Sequence, residues 1–423
     1  MNFSINGIYL FSKTEHKIVK FRQETQDFNY VTIRYSSDLY IKAVAVVLLS
    51  DGSFTNRTFL IEPDGTYACF YLPVKEQASV MFVGLDLFNL ENKTGRAEIR
   101  DIDVCKKETF CGATLKNDEL FAGFSADKGG VLSFLTSCKY RIGEYTAQQS
   151  ARIRFDKERV ADPCANANLI NCYDNGRYPQ QIFLGTGNPP YQASVYRDTV
   201  WRFNPVQSGD SHGNTSEVID FSVTENEVKI RVAPLDWAKN ASSPDCYMES
   251  VYRLDKNAII VNNRFVDYSM LNRGMNATPA NQQLPAFGII PSLYRYCVPL
   301  SDGTVKEVDS LKFWGNAESA FHQLFVVKKG WSCWLNEDNF GLGLYTAETN
   351  NHLAGKSITS GGNTVPACYA ESVNYIAGIK KFTLLSLCPV EYSYAIAFGS
   401  LEEITETLGR LSEAEERRKA KNG

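Results

Sequence analysis

The sequence predicts an all-β protein: a β-sandwich or jelly-roll domain over residues 1–111, a large antiparallel sandwich over 112–400, and a helix over 401–423. Three observations carry this. Strand-length runs rich in Val, Ile, Tyr and Phe recur at nearly even spacing and are separated by turn residues. No strand–helix–strand alternation and no glycine-rich phosphate loop occurs; GTGNPP at 185–190 runs into prolines instead of a helix start. The chain closes on LEEITETLGRLSEAEERRKAKNG, acidic at its start and basic at its end, the charge order that complements a helix dipole.

The first domain reads as YVTIRYSS, IKAVAVVLLSDG, RTFLIEPDGTYACFYL, ASVMFVGLDLFNL and RAEIRDIDVC, with turns at SDG (50–52) and PDG (63–65). Short strands at this spacing make a sandwich or jelly roll, a size and pattern common among carbohydrate-binding modules. From residue 112 strands alternate with longer polar loops. ARIRFD, VIDFSVTENEVKIRVAPL, FHQLFVVKKGWSCWLN, FGLGLYTA, KKFTLLSLC and YSYAIAFGS are strands, and RLDKNAIIVNNRF is a hairpin turning at Asp-Lys-Asn.

At 423 residues the chain is long enough for two or three domains and a large core. A net charge of -4 leaves no basic surface for phosphates, so nucleic acid is not an expected partner. No apolar run reaches about 18 residues, so no membrane helix is expected. The start, MNFSINGIYLFSKTEHKIVKF, has no export-signal pattern. Eleven cysteines, an odd number without any CxxC, fit reduced thiols, with Cys164 and Cys172 the pair to consider as a bridge. A cytoplasmic protein is therefore expected. No cofactor is expected. The four histidines show no HxH or HExxH spacing, so no zinc site is expected and no metal ligand is assigned, while a calcium held by carboxylates and carbonyls stays open without a loop signature. No GxSxG elbow is present. A homo-oligomer stays open.

Five polar segments stand out. NLINCYDNGRYPQQIFLG (168–185) holds Asp174, Arg177, Gln180 and Gln181; WRFNPVQSGDSHGN (201–214) holds Asn204, Asp210, His212 and Asn214. PLDWAKNASSPDCYMES carries Trp237 and Glu249, ANQQLPA carries Gln282 and Gln283, and WLNEDNFGLGLY carries Glu337 and Asp338. Glu337 and Asp338 read as a solvated turn. Gln282 and Gln283 read equally well as backbone braces or as ligand contacts, and Trp237 as scaffold or stacking ring. Asp210 and His212 lie on a loop flanked by Gly209 and Gly213, where a function outweighs packing. All five segments are expected to converge on one concave face.

These blocks, in this order, resemble an incompletely characterised family of bacterial carbohydrate-active proteins, over about residues 115–405. The resemblance implies a galactose-mutarotase-like β-supersandwich. Two departures matter: the relatives usually carry a leader, and they have Gln-Glu-Leu-Pro-Ala where this chain has Gln282-Gln283-Leu284-Pro285-Ala286. If that Glu is the acid in the relatives, Gln283 cannot replace it.

The leading expectation is a glycoside hydrolase acting on an oligosaccharide, with Asp174, Asp210, His212 and Glu249 as catalytic candidates. The preferred carboxylate pair is Asp174 with Asp210. Arg177, Gln180, Gln181, Asn204, Asn214, Trp237, Gln282 and Gln283 would hold sugar hydroxyls. Such a pair must stand about 5–5.5 Å apart for retention or about 6.5–9.5 Å for inversion. The alternatives are a polysaccharide lyase with His212 or a Tyr as base, a mutarotase-like isomerase using His212 and a Glu, and a non-catalytic sugar binder.

Overall fold

The computed structural model describes residues 7–11, 18–21, 29–64, 68–73, 79–145, 152–185, 194–196, 198–272, 277–308, 313–314, 323–357 and 367–422. The chain divides into two compact units, Met1–Thr109 with Asp267–Met270, and Phe110–Val266 with Leu271–Gly423. Both are built of mainly antiparallel sheets, with one parallel pair, Phe313–Trp314 beside Asn351–Ser357, in the second unit, and one α-helix ends the chain.

The first unit holds two four-stranded sheets. One runs in the order Gly7–Phe11, Gly95–Cys105, Tyr30–Ser37, Ala68–Pro73; the other runs Ile18–Phe21, Val80–Asn89, Ile41–Leu49, Phe54–Ile61. Period-two alternation decides which face is buried. Ile41, Ala43, Ala45, Val47 and Leu49 point inward while their neighbours stay partly exposed. Val31, Ile33 and Tyr35 do the same on Tyr30–Ser37, and the inward sets share one core.

The second unit is a sandwich of two large sheets. The eight-stranded sheet runs Leu235–Asp236, Pro205–Val206, Gln180–Ile182, Ala280–Ile289, Val373–Phe382, Asn351–Ser357, Phe313–Trp314, with Gln323–Val326 paired to Asn351–Ser357. The nine-stranded sheet runs Glu217–Val223, Val228–Ala233, Cys246–Asp255, Ala258–Asp267, Val390–Ser400, Phe340–Thr346, Trp331–Leu335, Arg295–Pro299, Val305–Glu307. Phe183, Phe265, Phe287, Tyr252, Trp334 and Ile396 fill the interior. The expected Asp-Lys-Asn hairpin is present, with Lys256 at φ 53° in the left-handed region its tight turn requires.

The helix Leu401–Asn422 covers part of the nine-stranded sheet with Ile404 and Leu408, against Trp331, Cys333, Ala395 and Ala397. This close approach needs Gly343: a Cβ there would stand 2.7 Å from both Ile404 and Leu408. No helix among the described residues is long and apolar enough to cross a membrane.

Candidate functional site

The site is built at the end of the short strand Gln180–Ile182. A strand of three residues leaves neighbouring backbone groups without ladder partners, and the polar side chains of the block supply them. Gln180 is fully buried; its amide donates to the Asn175 carbonyl and accepts from the Ser208 amide at 2.8 Å. Gln181 is buried too and donates to the Glu249 carbonyl at 2.8 Å and Ser250 Oγ at 3.1 Å. Both amides are structural braces facing the interior.

The residues just before this strand turn outward. Asp174 caps a single 3-10 turn, Asn175–Arg177, by accepting from the Gly176 amide at 2.9 Å. Its side chain is 43% exposed and lies 3.3 Å from Arg177 Nε. Arg177 is half-buried; Nη1 donates to Asn171 Oδ1 (3.1 Å) and to the carbonyls of Ala370 (3.1 Å) and Glu371 (2.9 Å). Burial lowers its pKa, opposed by the Asp174 carboxylate, and its guanidinium sits 4.7 Å from the centre of the Tyr173 ring. These bonds order the side chain without spending its Tyr173-facing surface.

Asn175 staples this turn to the second polar segment. Its Nδ2 donates to the carbonyls of Asp210 (3.1 Å) and Asn214 (2.9 Å). Asp210 is not open to a ligand: it is 1% exposed. Oδ1 accepts from the amides of His212 (2.9 Å) and Asn214 (3.0 Å), and Oδ2 from Asn214 Nδ2 (2.8 Å) and the Ala241 amide (2.7 Å). Four donors on one carboxylate make it the knot of the loop, so packing is its purpose after all. Gly209 permits the fold at φ 145°, where a Cβ would stand 2.0 Å from the Asn214 carbonyl oxygen. His212 is exposed beyond the knot, and Asn214 also donates to Asn240 Oδ1 at 2.7 Å.

Trp237 joins from the third segment. Its carbonyl accepts from the Ser211 amide at 3.0 Å. A Cβ on Gly176 would lie 3.0 Å from its ring, and the Tyr196 ring meets it edge-on at 5.9 Å. Asn204 is buried and donates to the Phe183 carbonyl at 2.9 Å. Gln282 is buried and bonds both ways to the Leu184 backbone, at 2.8 and 2.7 Å. Gln283, on the opposite face of that strand, meets the Tyr375 hydroxyl.

Glu249 and the Glu337–Asp338 turn do not join this face. Glu249 points from the outer face of the nine-stranded sheet, held by Arg231 (2.8 Å) and Lys229 (3.2 Å), in a cleft of about 280 Å³ shared with Val251, Asn262, Arg264, Glu391 and Ser393. Glu337 and Asp338 sit in the turn between Trp331–Leu335 and Phe340–Thr346, where Asn336 accepts from the Asp338 and Phe340 amides.

The face also gathers residues that sequence reasoning passed over. Tyr173 is 49% exposed and Tyr369 56% exposed, and Glu371 lies beside Arg177. Tyr369 and Cys368 border the site although they are almost 200 residues from the first segment. Tyr173 carried a signal, since it sits inside that block; the stretch 367–372 is short and carries no polar run.

No protein-family profile matches the chain, and no curated protein matches it. Solved structures do. A galactose mutarotase related enzyme from Lactobacillus acidophilus is 11% identical, covering 68% of this chain and 97% of its own, at a TM-score of 0.37. A galactose mutarotase-like protein from Lactobacillus casei is 10% identical, covering 68% and 100%, at 0.37. A 4-alpha-glucanotransferase from Thermococcus litoralis is 10% identical, covering 68% of this chain but 37% of its own, at 0.33. The chain is thus similar, distantly and in fold alone, to galactose-mutarotase-like proteins.

Proposed function

We propose that the face formed by Tyr173, Asp174, Arg177, His212, Trp237 and Tyr369 binds a sugar, and that Asp174 and His212 exchange protons with it. That is the chemistry of a mutarotase-type isomerase: a base takes the anomeric hydroxyl proton, an acid protonates the ring oxygen, and the ring opens and recloses. One observation carries the reading. One half-exposed tyrosine ring, Tyr173, lies against an ordered carboxylate–guanidinium pair, and a second half-exposed tyrosine, Tyr369, stands beside Cys172, the residue before Tyr173. Ring faces cover the C–H faces of a pyranose, while the carboxylate and guanidinium bond its hydroxyls.

The same geometry argues against the carboxylate pairs first expected for a hydrolase. Two-carboxylate hydrolysis needs a second acid across the bond. Asp210 is committed to four donors, and Glu249 to two cations on the outer face of the other sheet. Asp174 alone among the three combines a loop position with an open side chain.

The test is exchange NMR between α and β anomers across a panel of aldoses. The wild type should accelerate exchange of at least one of them. Asp174→Asn should slow that by about 10²-fold or more and His212→Gln by less, the scale of general acid–base catalysis. New reducing ends from oligosaccharides, without anomer exchange, would restore the hydrolase. Binding without either would leave a sugar-binding protein.

A further inference from the structure

Cys172 and Cys368 meet beside this face. They are 196 positions apart, yet the Cys172 amide donates to the Cys368 carbonyl at 2.5 Å, and both stand as thiols in the same core cluster. The stretch that carries Cys368 is pinned to the stretch that carries Cys172. Asn171 Nδ2 donates to the carbonyls of Ala370 and Ser372, each at 3.0 Å, and Arg177 Nη1 to those of Ala370 and Glu371. The Tyr178 hydroxyl donates to the Cys172 carbonyl at 3.3 Å. Such fixed, adjacent backbones bring two side chains within the span a disulfide needs.

We propose that Cys172 and Cys368 are a reversible modification site, a dithiol that a hydroperoxide converts into a disulfide. The attacking sulfur is Cys172. Its thiol is hydrogen-bonded by Cys368 and then, against the cost of burial, by Tyr369, with Lys128 adding positive charge; together they hold it below the ordinary thiol range. It is 9% exposed and lies next to Tyr369, which is 56% exposed, so a small oxidant reaches it. The Cys172 thiolate attacks the peroxide oxygen, the O–O bond breaks, and with one proton a first water (or alcohol) leaves a sulfenic acid. The Cys368 thiol attacks that sulfur, the S–S bond forms, and a second water departs. Two thiols lose two electrons and the peroxide gains them.

The dithiol at Cys297 and Cys333 supplies an internal comparison. Those residues face each other on paired strands but are buried in the core that the C-terminal helix helps to form, 3% and 0% exposed. Oxidant access, not proximity, separates the two pairs.

The inference is independent of the sugar. The full chain is treated with one equivalent of hydrogen peroxide, alkylated, digested without reductant and read by mass spectrometry. The expected result is a linked peptide pair joining Cys172 to Cys368, lighter by two hydrogens than the two thiol peptides, and reversed by dithiothreitol. The link should persist in Cys164→Ser and vanish in Cys172→Ser and in Cys368→Ser. Recovery of both cysteines as alkylated thiols while the Cys297–Cys333 pair or exposed Cys164 and Cys388 are oxidised would overturn it. So would a Cys172 link to any other cysteine.

Discussion

At the scale of single residues, the polar side chains of this chain divide by direction, which composition does not reveal. Asp210 looks like a catalytic acid in sequence, with glycines and a histidine around it. In the fold its two oxygens take four donors and close a loop. Asp210→Ala should therefore cost about 3 kcal/mol of stability, the scale for orphaning buried donors, measured by urea denaturation. Asp174→Asn should leave stability within about 0.5 kcal/mol, because the side chain is partly solvated and an Asn oxygen can still accept from the Gly176 amide. Equal stability for the two variants would contradict the division. His352 supplies a second residue-scale prediction. It is fully buried between Ser332 Oγ (2.7 Å) and Thr346 Oγ1 (3.0 Å), and burial lowers its pKa to about 3. The folded value lies below the unfolded one, so the neutral ring's contribution is complete above about pH 6.5. It is lost as pH falls from there toward 3, by up to about 1.4 kcal/mol per pH unit. His352→Gln should flatten that part of the stability–pH curve; an unchanged curve would refute it.

At the scale of elements, strands and helix were legible because their signals are local. Alternation sets the buried face of Ile41–Leu49, and charge order sets the direction of Leu401–Asn422. Serine and glutamate three apart also announce the helix start. Ser400 Oγ accepts from the Glu403 amide at 3.2 Å, and Glu403 Oε2 accepts from the Ser400 amide at 2.8 Å. What the local signal omits is tertiary: Lys139 Nζ and the Tyr140 hydroxyl both reach Glu403 Oε1 at 2.8 Å. Burial pushes this carboxyl up, but Lys139, the Ser400 amide and Tyr140 outweigh it and leave it below its ordinary value. Its folded pKa is depressed, so its stabilisation is present above about pH 4.5 and is lost as pH falls below that. Glu403→Gln should lower the melting temperature at pH 7, and the gap should narrow in acid. Gln282 proves to be the brace that was one of its two readings, whereas Gln180 and Gln181 escaped sequence reasoning for a related reason. They satisfy polar groups beside a strand of only three residues, Gln180–Ile182, and that shortness is not written in the side-chain pattern.

At the scale of the whole molecule, the two-sheet architecture follows from the count and spacing of strands, while the site does not. Three polar segments do meet, through Asn175, Asp210 and Trp237, but Glu249 points from the outer face of the other sheet. Tyr369 enters from almost 200 residues away, a meeting set by sheet order and invisible to any short window. The proposed site places a sugar against Tyr173, Asp174, Arg177 and Tyr369. The most direct measurement is a crystal structure of the chain soaked with each aldose that the exchange panel selects. Density for the ring is expected between the two tyrosines, with hydroxyls on Asp174 and Arg177. Density confined to the cleft beside Glu249, Asn262 and Arg264, with the tyrosine face unoccupied, would contradict it.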